Sequence, residues 1–385
     1  MKILHVISSL KLENGGVAQG VINLTSYYSE LGVEATVLSF DDASTHLMGV
    51  KHLNVITLGK GMGGAFSYHP KLIPWLKEHA TGFDAVIVDG LWQYHGYAVY
   101  KALDAVSVPY YVFTHGMLDP WFKHTYPLKH IKKYGYWFLA QYPVLKNAKA
   151  VLFTCEEERL LARQSFKPYS VREKVVGYGT TITSEAKTSC AEDFYVLYPE
   201  LREKRIFLFL SRIHEKKGCD LLLKAFSKVA DQDPTLHLVM AGPDQTGWQA
   251  RLVELAVSLG IADRITWTGM LKGQAKWGAL RAAEVFVLPS HQENFGIVVA
   301  EALAVGTPVL ISNKVNIWRE IEGMNAGLIE DDDLTGSKNL LFRWLNLSLE
   351  ERSVMQENAI RCFKEKFDMQ QAAINLISLI KGDFK

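Results

Sequence analysis

The chain has 385 residues, of which 48% are hydrophobic and 22% charged, and its net charge is +1. One hydrophobic core rarely serves so long a chain, so we expect two domains. The balanced charge gives no reason to expect nucleic acid as a partner, and no apolar run reaches the length of about 18 residues that a membrane-spanning helix needs.

The first half of the chain alternates short apolar runs with longer amphipathic ones. The apolar runs predict strands at 3–8, 34–40, 54–58, 85–89, 110–114 and 150–154. Strands that are apolar throughout and separated by helices indicate a parallel sheet covered on both faces. The N-terminal run MKILHVISSL is interrupted by Lys11 and Glu13 and has no small-residue cleavage site, so we interpret it as the first strand rather than a secretory signal.

The same alternation restarts in the second half, after a polar stretch at 182–193 that we interpret as a linker. Strands are predicted at 205–211, 236–242, 265–269, 284–290 and 308–312, and the chain ends in helical stretches at 349–367 and 369–380. The fold class is therefore α/β, with two doubly wound Rossmann-like domains. Ligands of such sheets bind beyond the carboxyl ends of the strands, so each loop after a strand is a candidate site.

Two glycine-rich stretches follow strands of the first domain. Residues 59–64, GKGMGG, match the dinucleotide fingerprint G-x-G-x-x-G, and Asp89 would supply its acidic residue, so a dehydrogenase is a rival interpretation. The helix predicted after GKGMGG begins several residues too late, which favours a surface loop. Residues 12–16, which include Gly15 and Gly16, join the first strand to a helix. There, glycine either lets amides approach an anion or serves a tight connection.

Two cations follow the first strand of the second domain. Arg212 comes directly after the strand, and Lys217 precedes Gly218 at the start of the next helix. An arginine fork and a lysine point charge beside a helix N-terminus suit a diphosphate. On this loop alone, ordinary solvated side chains are the better explanation of the pattern.

The stretch HQENFGIVVAE at 291–301 places Glu293 in a loop and Glu301 within the following helix. Residues eight apart on a helix differ by about 80° in direction, so the two carboxylates are not expected to share a proton or a metal. The free amides at the start of that helix form a second candidate anion site.

Together these motifs resemble the retaining GT-B glycosyltransferases of family 4. The resemblance rests on Gly15-Gly16, Thr114-His115-Gly116, Arg212 with Lys217-Gly218, Ala241-Gly242-Pro243 and Glu293 with Phe295-Gly296 and Glu301. It implies two domains facing across a cleft, namely an acceptor-binding domain at 1–190 and a nucleotide-sugar-binding domain at 195–367. A last helix at about 368–385 would cross back to the first domain.

The resemblance also implies a role for each matching residue. The implied catalytic residues are His115, Arg212, Lys217 and Glu293. The implied contacts to the nucleotide sugar are Gly15, Gly16, Pro243, Met270, Leu271, Asn294, Phe295, Gly296, Ile297, Val298 and Glu301. Arg212 and Lys217 would bind the diphosphate, Glu293 the donor sugar and Glu301 the ribose. Among the loops expected to shape the acceptor site, we single out Asp89, Trp92 and Asp119.

The chain departs from the family pattern at two places. Gly177-Tyr178-Gly179 stands where many members have Pro-Asn-Gly, and Lys314-Val315-Asn316 stands where many have glycines. Because of the first departure, the resemblance assigns no contact to the hinge region. The second falls after the strand that follows Glu301.

The activity that the resemblance implies is transfer of a hexose, with its anomeric configuration kept, from a UDP-sugar to a saccharide or lipid-linked saccharide in polysaccharide biosynthesis. We favour UDP-glucose as the donor and expect no cofactor and no metal. The run at 331–333, DDD, is interpreted as a solvated turn and helix cap. Two alternatives stay open: a UDP-sugar epimerase or hydrolase of the same fold, and a non-catalytic sugar-nucleotide-binding protein.

A basic and aromatic segment spans 121–138, and no acidic residue occurs between Pro120 and Cys155. One interpretation is a helix that buries its aromatics and exposes its lysines. The other is contact with an anionic membrane surface or a lipid-linked acceptor. The four cysteines are scattered without a C-x-x-C pair, which favours reduced thiols and a cytoplasmic protein, peripheral at the inner membrane face if that contact forms.

Overall fold

The computed structural model describes residues 1–11, 16–42, 53–104 and 106–382. Contacts divide the chain into two compact units. The first unit comprises Met1–Tyr178 and Met369–Lys385, and the second comprises Gly179–Asp368. Within the described ranges, no helix is long and apolar enough to cross a bilayer.

The first unit is built on a sheet with seven strands in the described residues. They are β1 (Lys2–Val6), β2 (Glu34–Ser39), β3 (Asn54–Thr57), β4 (Ala85–Asp89), β5 (Tyr110–Phe113), β6 (Ala150–Phe153) and β7 (Glu173–Val175). The order is β3-β2-β1-β4-β5-β6-β7, and neighbouring strands pair in parallel. The sequence pattern predicted six of these strands and missed the edge strand β7, because its three residues Glu-Lys-Val lack an apolar run.

Helices cover this sheet. They are α1 (Gly16–Ser26), α2 (Leu72–His79), α3 (Tyr94–Leu103), α4 (Trp121–Thr125), α5 (Pro127–Tyr136), α6 (Tyr142–Asn147) and α7 (Glu156–Ser165). A π-helical turn, Trp137–Gln141, joins α5 to α6. Strand β4 is buried along its whole length, which is why it forms a continuous apolar run in the sequence.

The second unit repeats the arrangement on a sheet with six described strands. They are β8 (Arg205–Leu210), β9 (Leu236–Ala241), β10 (Ile265–Gly269), β11 (Val285–Leu288), β12 (Val309–Ser312) and β13 (Gly327–Glu330). Their order is β10-β9-β8-β11-β12-β13, and again all pairs are parallel. The edge strand β13 was not predicted.

The helices of the second unit begin earlier than the sequence indicated. They are α8 (Ser184–Thr188), α9 (Glu192–Tyr195), α10 (Cys219–Phe226), α11 (Trp248–Ser258), α12 (Gly273–Ala282), α13 (Ile297–Ala304), α14 (Trp318–Gly323), α15 (Leu334–Asn346) and α16 (Leu349–Cys362). The interpretation of 182–193 as a linker is wrong, because α8 and α9 pack against α12. The units therefore divide at Tyr178–Gly179 rather than between 190 and 195. The sequence did not reveal α8 and α9, because helices of one or two turns show no sustained hydrophobic period.

The last helix, α17 (Met369–Lys381), belongs to the first unit, where it packs against α1. The side-chain amide of Asn375 donates a hydrogen bond to the carbonyl of Val176 at 3.1 Å. The chain therefore leaves the first unit after Tyr178 and returns to it at Met369.

Each sheet has one topological switch point, where successive strands leave in opposite directions. In the first unit it lies between β1 and β4, and in the second between β8 and β11. The loops after these four strands carry most of the candidate residues. The switch point of an open α/β sheet is where its ligands bind, so the topology selects these loops from all the others.

The helix α1 packs closely against Tyr178, one of the residues that depart from the family pattern. A side-chain carbon added at Gly20 would lie 1.5 Å from the Tyr178 hydroxyl oxygen. We expect Gly20→Ala to lower the free energy of unfolding by about 1–3 kcal/mol through overpacking. Thermal and urea unfolding measure this change, and Tyr178→Ala in the same chain should remove most of the penalty.

Gly135→Ala is the matched control for this substitution. Gly135 lies within α5 and its added carbon would meet no atom within 4 Å, so alanine should stabilise the helix by up to about 1 kcal/mol. Equal effects of the two substitutions would contradict the packing of α1 against Tyr178.

Candidate functional site

The loop after β8 brings together two of the predicted site residues. Lys217 is buried, and its ammonium group forms an ion pair with the Glu293 carboxylate from the loop after β11. Arg212 is exposed, with no ion pair among the described residues. The switch point thus presents one compensated cation and one available cation.

A close backbone approach fixes the position of Lys217. Gly218 has φ +66°, and a side-chain carbon there would lie 2.1 Å from the Pro289 carbonyl oxygen, so only glycine fits. The carbonyl of Lys216 accepts hydrogen bonds from the His291 amide at 2.9 Å and the Ser290 hydroxyl at 3.0 Å. The loops after β8 and β11 are therefore fastened together through backbone groups.

The loop that carries Glu293 is paired on its other side with residues 314–316. The Glu293 amide donates to the Lys314 carbonyl at 2.9 Å, and the Glu293 carbonyl accepts from the Asn316 amide at 3.0 Å. Val315, the bridge partner of Glu293, is fully buried. The departure Lys314-Val315-Asn316 therefore supports the backbone of Glu293.

Helix α13 begins immediately after Glu293, Asn294, Phe295 and Gly296. The amides of Ile297 and Val298 have no hydrogen-bond acceptor in the described part of the chain, and no side chain caps this helix end. Phe295 is buried, with its ring 5.8 Å from that of Phe367. The helix N-terminus therefore offers donors and a partial positive charge beside Lys217.

Glu301 lies one turn into α13, where it meets a lysine that the sequence analysis did not single out. Its carboxylate is 2.7 Å from the ammonium group of Lys276 on α12. Burial raises the pKa of Glu301 above its ordinary value, although the Lys276 charge and hydrogen bond oppose that shift. No local motif signals Lys276, because it lies 25 residues from Glu301 and the pairing depends on the packing of two helices.

Each carboxylate of the pair in HQENFGIVVAE has its own lysine. Glu293 pairs with Lys217 and Glu301 pairs with Lys276. An acid/base pair that shares a proton requires two carboxyl groups in contact with each other. The arrangement here instead provides two separate polar anchors on either side of a helix N-terminus.

Three further residues follow β9 and β10. The Pro243 carbonyl accepts from the Ile213 amide at 3.0 Å, which brings the loop after β9 against the loop that carries Arg212. Met270 is exposed and Leu271 half-buried directly after β10. Because β10 lies two strands from β8, these two residues occupy the outer end of the row of loops.

The first unit has a cavity of about 590 Å³ at its own switch point. It is lined by residues that follow β1 and β4, together with Ala65, Phe66 and Ser67. Asp89 and Trp92 are among the lining residues, and Ser8, Ser9 and Gln93 contribute polar groups. Asp41 holds one wall, since its carboxylate accepts from the Ser9 hydroxyl at 2.6 Å and the Leu10 amide at 2.7 Å.

The rival dinucleotide interpretation of GKGMGG does not fit this structure. Residues 64–66 form a 3₁₀ turn, and the next α-helix begins only at Leu72. No helix N-terminus therefore opens at the glycines, as pyrophosphate binding would require. The stretch serves as a loop, and the residues directly after it, 65–67, line the cavity.

Of the three residues expected to contact the acceptor directly, Asp89 departs most from that role. It is 2% exposed, and its two carboxylate oxygens accept hydrogen bonds from His5 at 2.7 Å and His115 at 3.2 Å. Burial alone would raise the pKa of Asp89, but the neighbouring His5 charge and the histidine hydrogen bonds lower it to about 2. Asp89 is therefore an ionised group that holds histidines.

The other two residues of the expected acceptor site also have internal partners. Trp92 donates its indole N–H to the Met117 carbonyl at 3.1 Å, and the Lys133 ammonium lies 4.3 Å from the Trp92 ring centroid. The Asp119 carboxylate accepts from the Trp121 amide at 2.8 Å, at the start of α4. Trp92 lines the 590 Å³ cavity, whereas Asp119 lines a separate one of about 70 Å³ beneath α5.

The loop Thr114-His115-Gly116 is held by Glu158, which the sequence analysis missed. One Glu158 oxygen accepts from the Thr114 hydroxyl at 2.5 Å and the Gly116 amide at 2.6 Å. The other accepts from the amide and hydroxyl of Thr154, at 2.7 and 2.6 Å. The sequence held one clue, namely that Glu158 lies on the face of α7 whose other residues are buried. An acidic residue in the solvated first turn of a helix explains the same pattern equally well.

The glycine loop before α1 is described only in part. Gly15 lies outside the described residues. Gly16 is the first residue of α1, and its carbonyl accepts from the Tyr178 hydroxyl at 3.4 Å. Tyr178 in turn packs against the His115 ring, with centroids 6.0 Å apart.

The acidic run at 331–333 acts as the sequence predicted. The Asp333 side chain caps α15 by accepting from the Gly336 amide at 2.7 Å, which confirms the helix cap. Asp332 pairs with His291 at 2.8 Å. Within the residues that the structure describes, no three His, Cys, Asp or Glu side chains are grouped around one ion position.

Each of the two units matches a model of a protein family. Residues 198–361 match the model "Glycosyl transferases group 1", and residues 15–179 match "Glycosyl transferase 4-like domain". The chain has the GT-B fold. The two matches fall one on each Rossmann-like unit, which is the domain arrangement that defines GT-B proteins.

Curated relatives match part of this GT-B chain. D-inositol 3-phosphate glycosyltransferase of Rhodococcus jostii is 32% identical over 51% of this chain and 44% of its own length. Mannosylfructose-phosphate synthase of Agrobacterium fabrum is 33% identical over 34% of this chain and 30% of its own length. The chain thus spans less than half the length of these relatives.

Solved structures match the whole GT-B chain. Anabaena HepE in complex with UDP superposes with a TM-score of 0.76, at 18% identity, over 99% of this chain and 100% of that one. Its complex with UDP-glucose superposes with a TM-score of 0.72 at the same identity and coverage. At this identity the likeness shows the fold alone.

The environment of Glu301 predicts a pH dependence of stability. Because its folded pKa is raised, Glu301 costs stability as pH rises from about 4.5 through that raised pKa, since the unfolded chain ionises more easily. We expect Glu301→Gln to match the wild-type thermal midpoint at low pH and to exceed it increasingly towards neutral pH. Scanning calorimetry from acid to neutral pH measures both midpoints, and a difference that does not change with pH would contradict this account.

Proposed function

We propose that this chain is a retaining glycosyltransferase that moves a hexose from a UDP-sugar to a saccharide or lipid-linked saccharide acceptor in polysaccharide biosynthesis. The donor we favour is UDP-glucose. The single observation that carries the proposal is the convergence, at the β8/β11 switch point, of exposed Arg212, the Lys217–Glu293 pair and the unpaired amides of α13.

These groups suit a sugar linked to a diphosphate. Arg212, Lys217 and the helix N-terminus would stabilise the negative charge that develops on the departing diphosphate. Glu293 would accept hydrogen bonds from hydroxyls of the sugar, and Glu301, beside Lys276, would accept from the ribose diol. Retention fits a same-face substitution in which the leaving phosphate accepts the acceptor's proton.

The ion pair between Lys217 and Glu293 fits both roles. Without a ligand, each buried or half-buried charge compensates the other, which lowers the cost of keeping them in the site. A diphosphate would give Lys217 a second anion, and Glu293 could then turn its remaining lone pairs to sugar hydroxyls. The pair would therefore mark the junction between diphosphate and sugar.

Names of similar proteins support the donor and the reaction class. HepE from Anabaena, one of the structural neighbours, was solved with UDP and with UDP-glucose. The curated relatives are a D-inositol 3-phosphate glycosyltransferase and a mannosylfructose-phosphate synthase. The cavity beside Trp92 in the first unit, with its aromatic walls and hydroxyl groups, has the size and lining that suit a saccharide.

Two substitutions separate the diphosphate contact from the sugar contact. Arg212→Ala should weaken UDP and UDP-glucose alike, by roughly 10- to 100-fold, because it removes a charge-assisted contact. Glu293→Ala should leave UDP affinity unchanged while UDP-glucose loses the extra affinity that its sugar supplies. Turnover should fall roughly 10²–10³-fold in each. Calorimetric titration and initial rates across a panel of UDP-sugars measure both effects.

The matched control is Arg361→Ala, an exposed arginine on α16, which should leave affinity and rate unchanged. Equal loss of UDP and UDP-glucose affinity in Glu293→Ala would refute its role. Donor turnover without any acceptor would favour an epimerase or hydrolase, and UDP-sugar binding without turnover would favour a non-catalytic protein. Thermal protection by NAD but by no UDP-sugar would overturn the proposal.

The exposed face of α5 and the π-helical turn supports a membrane contact at the inner face of a cytoplasmic membrane. Leu128, Ile131 and Leu139 are 76%, 65% and 82% exposed, which is unusual for large aliphatic side chains. Exposed Lys129 and Lys132 lie among them, with no acidic residue between 120 and 155. An apolar stripe bordered by lysines suits an anionic lipid surface.

The inner face of α5 supports the cavity of the first unit. Lys133 stacks over Trp92, and the Tyr136 hydroxyl donates to the Gln93 carbonyl at 3.4 Å. One helix therefore connects the exposed apolar stripe with two residues that line the cavity. This continuity favours a lipid-linked saccharide over a free one.

Sedimentation with vesicles tests the contact. Wild-type protein should bind phosphatidylcholine vesicles that contain phosphatidylglycerol, and less so at high salt. Two double variants should each weaken binding by at least roughly 10-fold. Lys129→Glu/Lys132→Glu removes positive charge, and Leu128→Ser/Ile131→Ser removes apolar area. Lys364→Glu/Lys366→Glu, two exposed lysines of the second unit, is the charge-matched control. Wild-type binding no stronger than that of the first variant would refute the contact.

A further inference from the structure

A buried row of hydrogen bonds in the first unit runs from Tyr28 to His115. The Tyr28 hydroxyl is 3.0 Å from His5 Nε2, and His5 Nδ1 is 2.7 Å from Asp89 Oδ2. Asp89 Oδ1 is 3.2 Å from His115 Nε2. Tyr28 and His5 are fully buried, so no water replaces these contacts.

The ionised carboxylate of Asp89 fixes the direction of the two hydrogen bonds that it receives from histidines. The pKa of Asp89 is about 2, so its carboxylate is ionised and only accepts. Burial raises the pKa of Tyr28, so its hydroxyl stays protonated beside His5 Nε2. His115 must then donate its Nε2–H to Asp89. The backbone carbonyl of Asp89 accepts in addition from His95 Nε2 at 3.1 Å.

The ring of His115 is held from several sides. It stacks on Phe113 with centroids 4.6 Å apart and meets the edge of Tyr178. Its backbone has φ +48°, in the left-handed region that a residue with a side chain seldom adopts, and Glu158 fastens the residues on either side. The Nδ1 atom of His115 has no hydrogen-bond partner in the described part of the chain.

We propose that Asp89 is a positioning residue that fixes His115 as its Nε2–H tautomer, so that Nδ1 accepts a hydrogen bond from a sugar hydroxyl. The inference rests on the proposed function for the identity of the ligand as a sugar. It assigns Asp89 a role through His115 rather than the direct acceptor contact expected from the sequence. A neutral Nδ1 accepts from hydroxyls and not from phosphate, so the group it meets is an uncharged part of the substrate.

Substitutions at His115 distinguish its two nitrogens. An asparagine amide reaches the position of Nδ1, whereas a glutamine amide reaches that of Nε2. We expect His115→Asn to retain kcat/KM within roughly 10-fold of wild type, because it keeps an acceptor towards the hydroxyl. His115→Gln keeps only the contact to Asp89 and should lose roughly 10²-fold, the worth of one or two good hydrogen bonds. The reverse order would overturn the proposal.

The tautomer itself is observable by ¹⁵N nuclear magnetic resonance of the full chain labelled at histidine, with His115→Gln to assign the signals. Wild-type His115 should show protonated Nε2 and unprotonated Nδ1, and Asp89→Ala should leave a mixture of tautomers and lower kcat by roughly 10-fold or more. His237→Gln, at a buried histidine of β9 that bonds Thr266, should lower the thermal midpoint without changing kcat.

The outcomes separate this proposal from the proposed function. A wild-type spectrum with Nδ1 protonated overturns the proposal even where the protein transfers sugar. Nε2 protonation with no transfer from any UDP-sugar removes the proposed function and leaves the positioning of His115 by Asp89 standing. Unchanged kcat in a folded Asp89→Ala variant also overturns the proposal.

Discussion

The contact between Gly218 and the carbonyl of Pro289 is the constraint on which the second unit's site depends. No side chain fits there, so the loop after β8 and the loop after β11 touch through their backbones. Lys217 is thereby placed against Glu293, and Glu293 is placed at the start of α13. A cation, a carboxylate and a helix N-terminus come within one small region without any of them depending on a flexible surface side chain. Such preorganisation is what an electrostatic site for a departing phosphate requires.

In the first unit, buried carboxylates hold the candidate loops and side chains in position. Burying an ionised group is costly unless hydrogen bonds replace its water. Glu158 accepts four hydrogen bonds and thereby holds the loop of His115. Asp89 accepts from two histidines, which outweighs the effect of burial on its pKa. Glu301 shows the opposite balance, since a single lysine does not compensate its burial and its pKa is raised. Asp89 has the His5 charge and two histidine donors to offset its burial, whereas Glu301 has Lys276 alone in the described part of the chain.

The two departures from the family pattern turn out to have structural consequences. Tyr178 fills the space that Gly20 leaves on α1 and meets His115, so a residue near the end of the first unit helps to hold a site residue. Val315 is fully buried, and the backbone of its neighbours pairs with that of Glu293. The second departure also places residues with side chains where glycines are common, which narrows the conformations open to the unfolded backbone.

The sequence by itself determined the local elements and the chemistry of the candidate loops. Apolar runs such as that of β8 and the R-x4-K-G and E-x7-E spacings are local patterns, and local patterns follow from backbone geometry and burial. The short strand β7 and the helices α8 and α9 escaped detection, because three to five residues show no period. Only the tertiary structure decided that Glu301 meets Lys276, that Glu158 holds the His115 loop and that Asp89 faces two histidines. These partners lie on different elements, and which elements adjoin at a switch point is decided by long-range packing that no local spacing encodes.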